Sequence, residues 1–216
     1  GLNSISKIND EYGYMLFGYT KSYMLDKSRK KKKGYFGRIL SSIFKKEASS
    51  ESWLINIDEY GDKNWHTTYG GKKDDTGKQI NSFSDGSFLL SNDTKSFGSG
   101  GKDIWLIKID RNGKIIWEKT IGSKKDEYLE STVLISDKEI VISGQKPLKN
   151  KLSLKSLFFS KSKISNNKNG NSKSFITKLD REGNMIWQKD DFEDEKNRIP
   201  YISNIKKNIL IVGQKS

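Results

Sequence analysis

The side chains of this chain best suited to chemistry are carboxylates at regular intervals and one imidazole. Asp58, Asp110 and Asp180 each stand three residues before a glycine, at Gly61, Gly113 and Gly183. Such an aspartate can be a calcium ligand or a cap for backbone N–H groups in a tight turn. Calcium takes about six to eight oxygens, which Asp-x-x-Gly alone does not supply, so turn capping is the reading. Paired acids recur at Asp74-Asp75 and Asp126-Glu127, following Tyr69-Gly-Gly and Ile121-Gly-Ser. Their equivalent placement points to a repeated structural role. The densest acidic run, Asp190-Asp-Phe-Glu-Asp-Glu195, reads as a solvated loop with the charge to hold a cation or pair with a basic segment.

His66 is the single histidine, and it follows Trp65 where Glu118 and Gln188 follow Trp117 and Trp187. It reads as a strand-edge residue; one histidine permits at most one histidine-based triad and argues against a histidine-rich metal centre. With no cysteine there is no disulfide, thiolate zinc site, iron–sulfur cluster or cysteine nucleophile. No nucleophile elbow, phosphate-binding loop or His-Glu-x-x-His is present. Sequence reasoning therefore assigns no catalytic, cofactor or metal residue. Asn92-Asp-Thr94 is a formal glycosylation sequon that carries no further weight.

These residues fall inside an internal repeat. Three segments align without gaps: Trp53 to Trp65, Trp105 to Trp117 and Phe175 to Trp187. Each has an aromatic residue, Asp five residues on, Gly three further and Trp four beyond that. The stretch before the Asp is rich in Ile, Leu and Trp, which suits a buried strand. Asp-x-x-Gly is turn chemistry, with glycine supplying φ > 0. The closing Trp is a large anchor for a neighbouring sheet. A second hairpin type alternates with the first, from Ser4 to Gly18, Gln79 to Ser91, Glu130 to Gly144 and Ile202 to Gly213. Asp85-Gly86 is its cleanest turn, and Gly18, Gly144 and Gly213 mark places where the sheet crowds inward. Two hairpins per repeat give a four-stranded antiparallel sheet of about 45–50 residues, the period of a β-propeller blade. A β-sandwich does not require this periodicity.

The segment from Gly101 to Gly122 resembles, nearly throughout, the repeat of bacterial secreted and cell-surface β-propellers. More distantly it is similar to the tryptophan-docking blades of quinoprotein-type propellers, whose turn is one residue longer. The resemblance implies that the Asp-Gly hairpin forms inner strands and the Asp-x-x-Gly…Trp hairpin outer ones. Blades would span 3–70, 77–122 and 128–190, with a half-blade at 200–213, about three and a half in all. Known rings usually close with about four to eight blades, so a ring completed by missing sequence or another chain is expected. The resemblance also implies a cell-envelope or extracellular location. It carries no quinone, because the residues that bind one have no counterparts here. With no initiator methionine and no signal-peptide pattern, the chain reads as a mature form or a fragment.

Two insertions interrupt the repeat. Residues 21–50 and 146–173 each carry a net charge of +8, against +13 for the whole chain, so the repeat itself is slightly acidic. In the first, Lys30, Lys31, Lys32 and Lys33 precede Phe36, Leu40, Ile43 and Phe44, apolar residues at helical spacing, with the basic Arg38 among them. In the second, Lys149, Lys151 and Lys155 lead to Phe158 and Phe159. Short basic amphipathic helices are predicted for both, leaving the same face of the disc. The readings open here are a solvated basic loop, a dock for an acidic partner protein, an anionic membrane surface and, last, nucleic acid. Nucleic acid ranks last because no reading motif is present and no aromatic interleaves with the lysine run. The functional expectation is a non-enzymatic propeller scaffold that binds a partner through these basic loops. The alternatives are a membrane-surface module and a fragment of a propeller enzyme whose active site lies in other blades.

Overall fold

A computed structural model of the chain describes residues 1–8, 13–21, 49–147, 172–192, 197–205 and 208–215. These residues are all-β, with no helix among them. Sheet 1 is β1 (Leu2–Lys7), β2 (Tyr14–Lys21), β3 (Ser50–Ile57) and β4 (Lys63–Tyr69). Sheet 2 is β5 (Asp75–Ser82), β6 (Phe88–Thr94), β7 (Asp103–Ile109) and β8 (Ile115–Ile121). Sheet 3 is β9 (Tyr128–Ser136), β10 (Glu139–Pro147), β11 (Ser172–Asp180) and β12 (Met185–Phe192). Each is antiparallel with its strands side by side in chain order. A two-stranded sheet of β13 (Asn197–Ile205) and β14 (Asn208–Lys215) follows.

The Asp-x-x-Gly turns are built alike three times. Asp58 Oδ1 accepts from the N–H groups of Tyr60 (2.9 Å) and Asp62 (2.8 Å). Asp110 Oδ1 does the same for Asn112 and Lys114, both at 2.9 Å, and Asp180 Oδ1 for Glu182 (3.0 Å) and Asn184 (2.7 Å). Gly61, Gly113 and Gly183 sit at φ 89, 83 and 78, where a side chain is disfavoured. The aspartates are thus consumed by their own turns. Just beyond each turn a register shift kinks the third strand against the fourth.

Successive sheets pack face to face. One core joins Met15, Phe17, Leu54 and Tyr69 of sheet 1 to Phe88, Leu90, Trp105 and Ile107 of sheet 2. A second joins Leu89, Ile104 and Leu106 to Ile140, Ile142, Phe175 and Leu179 of sheet 3. A third joins Val141 and Ile176 to Ile202 of the two-stranded sheet. Sheets 2 and 3 therefore bury both faces of their central strands, and β6 and β7 are buried throughout. This explains apolar runs where a one-sided sheet would alternate.

The fourth-strand tryptophans close these interfaces. The Trp65 ring reaches across to the turn of sheet 2, within 3.2 Å of where a Cβ on Gly113 would stand, and the Tyr69 hydroxyl donates to the Gly113 carbonyl at 2.7 Å. Trp117 seats on Gly183 of sheet 3 in the same way, at 3.0 Å. At Gly61, on sheet 1, no described residue comes within 4 Å of where a Cβ would stand. The first strands are linked by side chains: Asn3 donates to the Gly77 carbonyl (2.7 Å), and the Ile80 N–H donates to Ser4 Oγ (3.2 Å). The Gln79 amide exchanges two hydrogen bonds with the Thr132 backbone, at 2.8 and 2.9 Å. The crowding at two of the three inner glycines is steric: a Cβ on Gly18 would meet the Gly1 carbonyl, and one on Gly144 the Tyr128 carbonyl and the Phe175 ring.

The three turn glycines separate conformational strain from docking. Gly61→Ala should cost about 1 kcal/mol from its φ alone. Gly113→Ala and Gly183→Ala should cost at least about twice that, because the new methyl also meets a tryptophan. Urea unfolding of the three variants is the check; equal losses would mean that the tryptophans do not seat on these turns.

Candidate functional site

The end of the sheets from which the insertions leave is the candidate interaction face. The second and third strands of each sheet meet there, with Lys21 opposite Ser50, Thr94 opposite Asp103, and Pro147 opposite Ser172. The connections between sheets run along the same end, at residues 70–74 and 122–127. The insertion residues singled out from sequence lie outside the described residues: Lys30 to Lys33, Phe36, Arg38, Leu40, Phe44, Lys149, Lys151, Lys155, Phe158 and Phe159. So do the predicted helices. Their roots at residues 21, 50, 147 and 172 lie inside and place both insertions at one end, with sheet 2 between them.

The paired acids organise this end. Asp74 Oδ1 accepts from the Ser50 N–H at 3.1 Å, and Asp126 Oδ1 from the Lys102 N–H at 2.8 Å. Each thereby caps the third strand of the preceding sheet. The second acid of each pair folds its own loop: Asp75 accepts from the Gly71 N–H (2.7 Å), and Glu127 from the Ser123 N–H (2.8 Å). The Ser50 N–H and then the Lys95 ammonium outweigh burial and hold Asp74 below the usual carboxylate range. The repeated structural role expected of these pairs is what the hydrogen bonds display.

Two further buried acids had no sequence signal. Asp93 accepts from the Leu129 N–H (2.9 Å) and pairs with Lys78 (3.3 Å) and Lys102 (3.7 Å), tying sheet 2 to sheet 3. Asp103 is fully buried, and its Oδ2 accepts from the Ser99 N–H at 3.1 Å. Its Oδ1 has no hydrogen-bond partner among the described residues and abuts Gly122, beside Glu127 Oε2. Burial, with the charges of Glu127 and Asp126, raises Asp103 above the usual range. The alternation rule gives no warning of either residue, because both lie in strands buried on two faces.

The spaces between sheets differ. Between sheets 1 and 2 the short connection 95–102 folds Phe97 onto Trp105, centroids 4.6 Å apart. Between sheets 2 and 3 a cleft of about 940 Å³ lies over Phe175 and Ile121, rimmed among the described residues by Lys124, Lys125, Lys146 and Lys173. Asp190, from the acidic run, pairs with Lys146 (2.6 Å) and Lys173 (3.8 Å) at the root of the second insertion. Burial would raise Asp190, but hydrogen bonds from Lys146 and Gln188 and the lysine charges hold it below the ordinary value.

The remaining candidates sit apart from this face. A second cavity of about 530 Å³ lies along the first strands, lined by Ser4, Ser6, Lys7, Gln79, Asn81 and Ser82, with no carboxylate among the described lining residues. His66 Nδ1 accepts from Trp53 Nε1 at 3.2 Å, just as Glu118 accepts from Trp105 Nε1 at 3.1 Å, so both are cross-strand partners of the repeat aromatic. Among the described residues no three His, Asp or Glu side chains gather as a metal site would need. No family model and no curated protein matches the chain.

The sign of the Asp103 effect can be worked out. A carboxyl raised in the folded state stabilises the fold fully below its ordinary value, and that contribution is lost as pH rises through the raised value. Asp103→Asn keeps an acceptor for Ser99 and removes the charge. It should unfold at higher urea than the parent at pH 7.5, with the difference shrinking towards pH 3. A less stable variant at pH 7.5 would contradict this account of the site.

Proposed function

We propose that this chain is a non-enzymatic interaction scaffold of β-propeller type, which binds an acidic partner protein through two basic insertions on one face. The observation that carries the reading is the shared position of the insertion roots. Two segments of net charge +8 each leave one end of a slightly acidic frame, so their fields add on that side. The face-to-face row of four-stranded sheets, each interface repeating the last, supports the propeller arrangement. Sheets 1 to 3 supply rigid anchorage, and the charge is concentrated on what they hold out. The bacterial resemblance is what supports a cell-envelope or extracellular location for such a scaffold.

Changing Lys30 to Lys33, Lys149, Lys151 and Lys155 together to Gln tests the reading. Immobilised poly-glutamate stands in for an acidic protein surface, with phosphatidylserine vesicles and duplex DNA beside it. The parent should bind poly-glutamate in preference at low ionic strength, weakening as salt rises, and the variant should bind roughly tenfold less or weaker still. Equal binding by the variant would overturn the role of the insertions, and preference for vesicles would favour the membrane-surface reading.

A further inference from the structure

The cleft between sheets 2 and 3 joins an apolar floor to a surplus of positive charge. The floor is Ile121 of β8, Phe175 of β11 and Met185 of β12, the last 54% exposed. Among the described lining residues four lysines stand against two carboxylates, and both carboxylates are already engaged. Glu127 holds the connection 122–127 together through the N–H and the hydroxyl of Ser123, at 2.8 and 2.6 Å. Asp190 accepts from Gln188 (2.9 Å) and is shared by Lys146 and Lys173, which lie directly opposite each other across β10 and β11. One carboxylate thus answers two ammonium groups, and like charges placed opposite each other in a sheet are destabilising. Lys124 and Lys125 add two more ammonium groups from the connection. The repeat also shows that a ring fits at this end of a sheet. Trp105, the counterpart of Phe175 in sheet 2, carries the Phe97 ring at 4.6 Å.

Resting on the acidic-partner reading above, we propose that this cleft takes a short acidic segment of that partner by one aromatic side chain with carboxylates before and after it. The ring seats on Ile121 and Met185 beside Phe175, and the flanking carboxylates meet Lys124 and Lys125 from the connection and Lys173 from sheet 3. The insertions then supply attraction at a distance, and the cleft supplies the choice of sequence. Charge complementarity selects this occupant. The lysines come from two separate elements, so they suit a ligand with several carboxylates, whereas a fatty acid carries one at its end. A volume of about 940 Å³ lies within the usual range of ligand sites and holds a segment of a few residues.

Two capped peptides, Glu-Glu-Phe-Glu-Glu and Glu-Glu-Ala-Glu-Glu, test the proposal by calorimetric titration of the full chain at low ionic strength. The Phe peptide should bind roughly tenfold tighter than the Ala peptide, the gain expected from burying one ring. Met185→Glu, at an exposed position that leaves folding intact, should remove that preference. Lys124→Gln with Lys125→Gln should weaken the Phe peptide roughly threefold or more. The insertion Lys-to-Gln variant should bind both peptides more weakly with the ratio between them unchanged. Equal affinity for the two peptides would overturn the proposal. If poly-glutamate is still bound, that failure is the cleft's alone and the insertion reading stands. Unchanged binding by the Lys124→Gln, Lys125→Gln variant would overturn it too, as would a preference that survives Met185→Glu. Tighter binding of laurate than of the Phe peptide would give the cleft to a lipid anion instead. A preference that emerges only after Phe158→Ser with Phe159→Ser would give it to the chain's own insertion, and either result would end the proposal.

Discussion

A tryptophan lying on a turn that has no side chain is the contact on which the arrangement of sheets depends. Trp65 and Trp117 stand at the outer edge of one sheet and meet Gly113 and Gly183 of the next. The glycine is required twice over, once by its positive φ and once by the ring above it. The aspartate three residues earlier fixes the turn, so the socket is rigid before the tryptophan arrives. Inside this outer lock the apolar faces of adjoining sheets exclude water, and at the inner edge Gln79 and Asn3 replace strand pairing with side-chain hydrogen bonds. Each interface is thus fastened at the fourth strand, in its middle and along the first strands by different chemistry. The modest burial of any one sheet becomes stable only through its neighbours.

Electrostatics is partitioned between frame and insertions. The frame spends its carboxylates on backbone N–H groups, as Asp74, Asp126, Asp75 and Glu127 do at the ends of strands. Acids used this way are not free to attract a partner. The lysines of the insertions have few acids of their own, and the contact made by Asp190 lies at a root, where it steadies the loop base rather than cancelling the loop charge. The formal charge of +13 is therefore carried by the two insertion segments, whose roots lie at one end of the sheets. The repeated geometry sets where that face points.

Much of the fold was legible because it rests on residues with one purpose. Asp-x-x-Gly at fixed offsets from a terminal Trp can be read as a turn and an anchor, and the hydrogen bonds and ring contacts agree. What was not legible depends on partners distant in sequence. Nothing about Asn3, Gln79 or Asp93 announces a bond to Gly77, Thr132 or Leu129, because each is one polar residue in a strand and its partner is set by how two sheets stack. Asp103 was hidden for a related reason: a strand buried on both faces loses the alternation that marks an inward polar residue. The cleft beside sheet 3 was equally invisible, since its lining comes from two sheets and takes shape only where they stack.

Amide hydrogen exchange in Trp65→Ala and Trp117→Ala tests the central contact most directly. If each tryptophan holds the next sheet, Trp65→Ala should speed exchange of the Gly113 and Lys114 amides, across the interface, and leave the turn at Gly183 unchanged. Trp117→Ala should do the reverse. Faster exchange confined to the strand that carries the substitution would contradict the account, because the tryptophan would then be part of its own sheet and not the lock on its neighbour.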